Sequence, residues 1–252
     1  MSELTTQHRL IPPALEAVCT ASAVSRVVQA NLEELKQITK DDRSPVTVAD
    51  YAVQAIIALS LAEHLDDKDR LIVGEEDAQA LRNDDQVLIR KAVLQAVQTW
   101  KPQITEEQML NAIDHCDHDG SSDGYWALDP IDGTKGFLRG QHYAIALGRI
   151  EDGEVVAGVM GCPNLSSEQG RPLDNNDPEG VVYAASKGAG AWEFAKCDQS
   201  SEPMRIVSSP YNPDTPLRFC ESAEKGHSNR GDSGRIIDNI GTEGEPARLD
   251  SQ

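Results

Sequence analysis

Trp126-Ala127-Leu128-Asp129-Pro130-Ile131-Asp132-Gly133-Thr134 is the stretch on which the reading of this chain turns. Tyr125 to Leu128 reads as a strand that delivers Asp129 at its C-terminal end. A second carboxylate, Asp132, follows in a turn set by Pro130 and Gly133. Hard divalent cations such as Mg²⁺ take oxygen ligands and keep several waters that a phosphate can displace. Asp129 and Asp132 can each hold a metal, and the Ile131 carbonyl lies in the same turn. The plain alternative is a tight Asp-Gly turn with no function, because Asp and Gly favour turns for reasons of their own.

Two upstream stretches have the same ambiguity. Val73-Gly74-Glu75-Glu76 again sets acids after a short apolar run, Leu71-Ile72-Val73, that reads as a buried strand. Acids that open a helix also stabilise it through the macrodipole, so this stretch alone is weak. In Ser44-Pro45-Val46-Thr47-Val48-Ala49-Asp50, Asp50 is expected to open a helix running to about Leu65, where a helix cap would account for it.

The rest of the chain alternates helix and strand. Apolar positions Leu15, Val18, Ala21, Val24, Val28, Leu32 and Leu35 predict one long amphipathic helix from Pro12 to about Lys40, with both prolines in its first turn. Residues Asp85 to Trp100 also read as helix, and Asp114 to Gly124 as a polar loop. Tyr143 to Ile150 and Val155 to Met160 flank an Asp-Gly turn and read as a hairpin. Leu165 to Glu179 has the composition of a linker. Short strands are expected at Val181–Ala185, Ala191–Phe194, Met204–Val207 and Leu217–Cys220, then a helix around Asp232 to Ile240. The class is mixed α/β, with antiparallel strands in the middle.

The 252 residues carry a net charge of −19, which repels a nucleic acid polymer as a partner, while a small phosphate ester bridged by cations is compatible. Five cysteines, odd in number and without a CxxC, argue for a reducing compartment, cytoplasmic or nuclear. No run reads as long and apolar enough to span a membrane, and the N-terminus does not read as a signal peptide. His115-Cys116-Asp117-His118 crowds its candidate zinc ligands into one loop with no second pair. Cys162 before Pro163 reads as a small buried hydrophobe.

In order and rough spacing, Asp50, then Gly74-Glu75-Glu76, then Asp129-x-Ile131-Asp132-Gly133-Thr134 resembles the inositol monophosphatase superfamily. The continuation Lys135-Gly136-Phe137-Leu138-Arg139-Gly140 resembles its bisphosphate nucleotidase branch, as do Gly161-Cys162-Pro163-Asn164-Leu165 and Glu224-Lys225-Gly226-His227-Ser228. The resemblance implies a layered αβαβα sandwich, with an N-terminal α+β part over residues 1–165 and the start of a C-terminal α/β part over 166–252. It implies that Glu75, Asp129, the Ile131 carbonyl and Asp132 bind Mg²⁺, and that Asp50 and Thr134 activate the attacking water. His227, Ser251 and Thr134 would contact the nucleotide bisphosphate substrate. The implied reaction is hydrolysis of the 3′-phosphate of 3′-phosphoadenosine 5′-phosphate, or of its sulfated analogue, by a lithium-sensitive monomer serving sulfur assimilation.

Two alternatives stand beside that expectation. One is an inositol phosphate phosphatase using the same metal site. The other is an inactive fragment, since the superfamily's Trp-Asp-x-Ala-x-Gly segment, with a further metal-ligating Asp, is not found: Ala127 follows Trp126 and Glu193 follows Trp192. On that reading the C-terminal part is truncated.

Overall fold

The computed structural model describes residues 9–39, 44–168, 171–172, 175–208, 210, 212, 220–222 and 247–249. The expected helix near Asp232, together with His227 and Ser251, lies outside the described residues.

A seven-stranded sheet runs in chain order: β1 (Ile72–Val73), β2 (Gly124–Asp132), β3 (Ala144–Glu151), β4 (Glu154–Cys162), β5 (Val181–Ser186), β6 (Gly190–Ala195) and β7 (Met204–Ile206). β1 and β2 are parallel; the other neighbours are antiparallel. The sheet continues across residue 165, with β4 paired to β5. Two further short strands, β8 (Cys220–Ser222) and β9 (Ala247–Leu249), pair with each other. Leu165 to Glu179 is held down where it is described: Asp177 accepts from Ser166 and Arg171, and the Asn176 amide donates to the Gly140 carbonyl.

Helices α1 (Ile11–Ala30) and α3 (Ser44–His64) cover one face of the sheet, with α2 (Leu32–Thr39), α5 (Val87–Trp100) and α6 (Glu106–Asp114) packed around α3. The short α4 (Ala78–Leu81) follows β1, and α7 (Thr134–Leu138) follows β2. Alternate residues of β2 to β5, such as Trp126, Leu128, Leu147 and Val159, point into this core against Val18, Ile56 and Leu61. The opposite face of the sheet carries small side chains, with Val155 and Met160 exposed.

Three expectations need correction. The single helix from Pro12 to Lys40 is two, interrupted at Asn31, whose side-chain amide donates to the Val27 carbonyl and competes with the helical ladder. Asp50 does not open its helix; α3 starts at Ser44, and Pro45 sits in its first turn, where a missing N–H costs nothing. Val46–His64 is, by length and composition, apolar enough to cross a membrane. Its side chains are instead mostly buried against α1, α5, α6 and β2, as in a core helix that is apolar all round. The helix α6 was not anticipated, although Thr105-x-x-Gln108 forms a complete capping box at its start.

Candidate active site

The acids gather where β1 and β2 leave the sheet beside α3. Parallel pairing sets Ile72 opposite Trp126 and Val73 opposite Ala127, an offset of 54. Beyond the paired residues Glu75 stays close enough for its charge to act on Asp129, so residues far apart in sequence approach one another.

β2 itself runs through Asp132 rather than ending before Asp129, which corrects the expected strand-then-turn. Carboxylates three apart on a regular strand would face opposite sides. The register with β3 shifts between Asp129, opposite Ala146, and Asp132, opposite Ala144. Pro130 and Ile131 thus stand against Ile145 alone, a bulge that cancels the alternation and brings both acids to one site. Pro130 has no N–H to give to the ladder, so the bulge is where a strand tolerates it. Gly133 follows at φ 88°, a left-handed turn that suits glycine and launches α7. The Thr134 hydroxyl, exposed at the start of α7, donates to the Ile131 carbonyl at 3.5 Å.

Asp50 reaches the same place from α3, which packs against α7. Burial, then the carboxylates of Glu76, Glu75 and Asp129, push its carboxyl up to about 9. Asp129 is pushed up to about 6 by burial together with Glu75 and Asp132, against the backbone amide of Ile131. Glu76 is also raised, chiefly by burial. Glu75 and Asp132 thus stand near enough for their charge to act on Asp129, and like charges oppose ionisation of Asp50 and Asp129. Among the described residues, no three carboxylate, His or Cys side chains are gathered tightly enough to hold a metal as they stand. The donor set nevertheless suits a hard cation: carboxylates and a backbone carbonyl, with neither thiolate nor imidazole in the cluster.

A cleft of about 640 Å³ opens from Glu75 and Asp129 along the face of the sheet opposite α1 and α3, over Ala127, Gly148, Met160 and Tyr183. Its acidic end is the chemical end; the remainder is largely apolar sheet surface.

Glu76 stands in its sequence motif without an assigned role, and the sequence reading assigns none to Gln54 or Tyr51. Gln54 and Tyr51 lie on α3 within one turn of Asp50, a spacing that was legible as a shared helix face. The His115–His118 stretch is occupied otherwise: the buried Cys116 thiol donates to the Ala112 carbonyl, and His118 Nδ1 accepts from the Gly120 amide. Asn164, from the stretch after β4, donates to the Gln141 carbonyl and to Gln29, which itself donates to the Phe137 carbonyl. Two stretches that carried the resemblance, 135–140 and 161–165, are thereby bound together through α1.

The chain is similar to known proteins over most of its length. The profile of the inositol monophosphatase family matches residues 12–240. A Schizosaccharomyces pombe protein named 3'(2'),5'-bisphosphate nucleotidase is 35% identical over 254 aligned residues, covering 95% of this chain and 70% of the relative. An Arabidopsis thaliana protein, 3'(2'),5'-bisphosphate nucleotidase 1, is 37% identical over 253 residues, covering 95% of this chain and 71% of its own length. Among solved structures, CysQ from Bacteroides thetaiotaomicron, a bacterial member of the inositol monophosphatase family, superposes with a TM-score of 0.51 at 17% identity, over 96% of this chain and 72% of that one. With most of its length matched by the family profile, and its acids brought together by the β2 bulge, the chain belongs to the inositol monophosphatase family.

Proposed function

We propose that this chain is a magnesium-dependent nucleotidase that removes the 3′-phosphate of 3′-phosphoadenosine 5′-phosphate, giving AMP and phosphate. The observation that carries the reading is the shared acidic space formed by Asp50, Glu75, Glu76, Asp129 and Asp132. The names of the relatives matched over 95% of the chain support the nucleotide as substrate.

Glu75, Asp129, Asp132 and the Ile131 carbonyl would hold Mg²⁺. Magnesium, when bound, supplies the positive charge that admits a phosphate to an acidic cleft and makes water a better nucleophile. Phosphoryl transfer then asks the protein chiefly for positioning and charge balance. Asp50, whose charged form is favoured once a cation offsets the neighbouring acids, would then accept a proton, and the Thr134 hydroxyl can orient the attacking water and relay its proton. His227 and Ser251 are assigned to the nucleotide in this reading. A reducing, cytoplasmic setting is in keeping with free cysteines, four of them buried among the five.

Phosphate release from 3′-phosphoadenosine 5′-phosphate, with and without Mg²⁺, tests the reading, with Asp129→Asn as control. Magnesium-dependent release that vanishes in the variant is expected. A clear preference for inositol 1-phosphate or inositol 1,4-bisphosphate would overturn the nucleotide assignment. Titrating LiCl against KCl at fixed Mg²⁺ measures the expected lithium sensitivity.

A further inference from the structure

We propose that α3 sets the cation affinity of this site through two positioning residues, Gln54 and Tyr51, which clamp the turn carrying Glu75 without touching the metal. The proposal rests on the magnesium reading above.

Among the described residues, no hydrogen bond reaches the Glu75 carboxylate, which is exposed. Its position is therefore set by the backbone on either side. On the near side, the Gly74 amide donates to the Cys116 carbonyl at 2.8 Å. On the far side, the fully buried Gln54 holds both backbone groups of Glu76. Its Nε2 donates to the Glu76 carbonyl at 2.7 Å, and its Oε1 accepts from the Glu76 amide at 3.0 Å. The same Nε2 lies 3.3 Å from the Ile113 carbonyl at the end of α6, so the amide joins α3, α6 and the turn. The Tyr51 hydroxyl donates to the Asp77 carbonyl at 3.2 Å, one residue further on.

The fit leaves no slack. A Cβ on Gly74 would stand 2.7 Å from Gln54 Oε1 and 2.8 Å from the Cys116 Cβ. The turn thus approaches α3 as closely as a glycine permits. Asp50, Tyr51 and Gln54 all lie within about one turn of α3. One rigid element therefore presents the acid assigned to the water and fixes the backbone of an acid assigned to the cation. Groups that orient a ligand without binding the metal change affinity by about 10- to 100-fold when removed.

The test is calorimetric titration of Mg²⁺ into the metal-free 252-residue protein, for wild type, Gln54→Leu, Tyr51→Phe and Asp129→Asn. Gln54→Leu keeps the volume and removes every hydrogen bond. It is expected to weaken Mg²⁺ by about 10- to 100-fold. Tyr51→Phe should weaken it by less, and the half-activating Mg²⁺ concentration should rise in step, with added Mg²⁺ restoring turnover. A purely structural role would lower the melting temperature while leaving the Mg²⁺ affinity of the folded protein unchanged, and that result in Gln54→Leu overturns the proposal. If Gln54→Leu does not fold, Tyr51→Phe decides: unchanged affinity there overturns it. Wild type that takes up no Mg²⁺ defeats the magnesium reading and this proposal with it. Wild-type uptake lost in Asp129→Asn but kept in Gln54→Leu defeats the clamp alone.

Discussion

Arg149 and Asp69 meet as a buried pair behind β2, with one guanidinium nitrogen 3.7 Å from the Asp69 carboxylate and another donating to the Asp69 carbonyl at 3.4 Å. The guanidinium also pairs with Glu151 and lies 5.7 Å from the Trp126 ring centroid, while the Trp126 indole N–H donates to the Asp69 carbonyl. Gly124 makes room for it, since a Cβ there would stand 2.4 Å from an Arg149 nitrogen. This cluster ties the turn before β1 to β2 and β3, the strands that set the acids. Asp69 also pairs with Arg9 at 2.7 Å, and Arg149 keeps Glu151 at 3.1 Å. Losing the Asp69 carboxylate therefore removes charged hydrogen bonding without stranding the guanidinium, at a cost of about 1.5–3 kcal/mol. Asp69→Ala is expected to destabilise by about that amount. Urea denaturation measures it; a loss below about 1 kcal/mol, the range of an exposed pair, would refute the assignment.

Helix α1 touches β4 at Gly161. A Cβ there would fall 2.4 Å from Ser22 Oγ and 2.9 Å from Val18 Cγ1, both on the buried face of α1. Gly161→Ala must push the helix from the sheet and should cost about 1–3 kcal/mol, the usual range for overpacking. Gly148→Ala is the control, because nothing lies within 4 Å of a Cβ there. Equal melting temperatures for the two variants would contradict the close contact.

Asp50 predicts a pH dependence. Its carboxyl is raised from 3.8 to about 9, so between those values the folded protein binds more protons than the unfolded chain. Stability therefore falls as pH rises through that window, and Asp129 adds to the fall between 3.8 and about 6. Without metal, Asp50→Asn is expected to melt above wild type at pH 8, by more than about 2 °C, the shift that 1 kcal/mol produces in a domain of this size. The gap should narrow toward pH 4. Parallel melting curves across the pH range would show that Asp50 ionises freely.

Thr105 caps α6, accepting from the Gln108 amide at 3.2 Å while the Gln108 side chain accepts from the Thr105 amide at 3.0 Å. Thr105→Ala should cost about 1 kcal/mol. Amide exchange should quicken over the first turn of α6 before the rest of the core, and uniform protection would argue against the cap.

The identity and order of the acids, the antiparallel hairpin of β3 and β4 and the apolar faces of α1 and α3 were legible in the sequence, because periodicity and turn chemistry are local. So was the resemblance that assigns Asp50, Glu75, Asp129, Ile131, Asp132 and Thr134 to one site. Only the tertiary structure decided how they meet. The two-residue strand β1 finds its ladder partner in β2, and that pairing carries Glu75 to the neighbourhood of Asp129. The bulge that turns Asp129 and Asp132 to one side exists only as a mismatch with β3. The hold of Gln54 on the Glu76 backbone spans 22 residues of chain, and no local rule announces it. Residue spacing limits which side chains can share a face, but the partner strand fixes the register, and register places the chemistry.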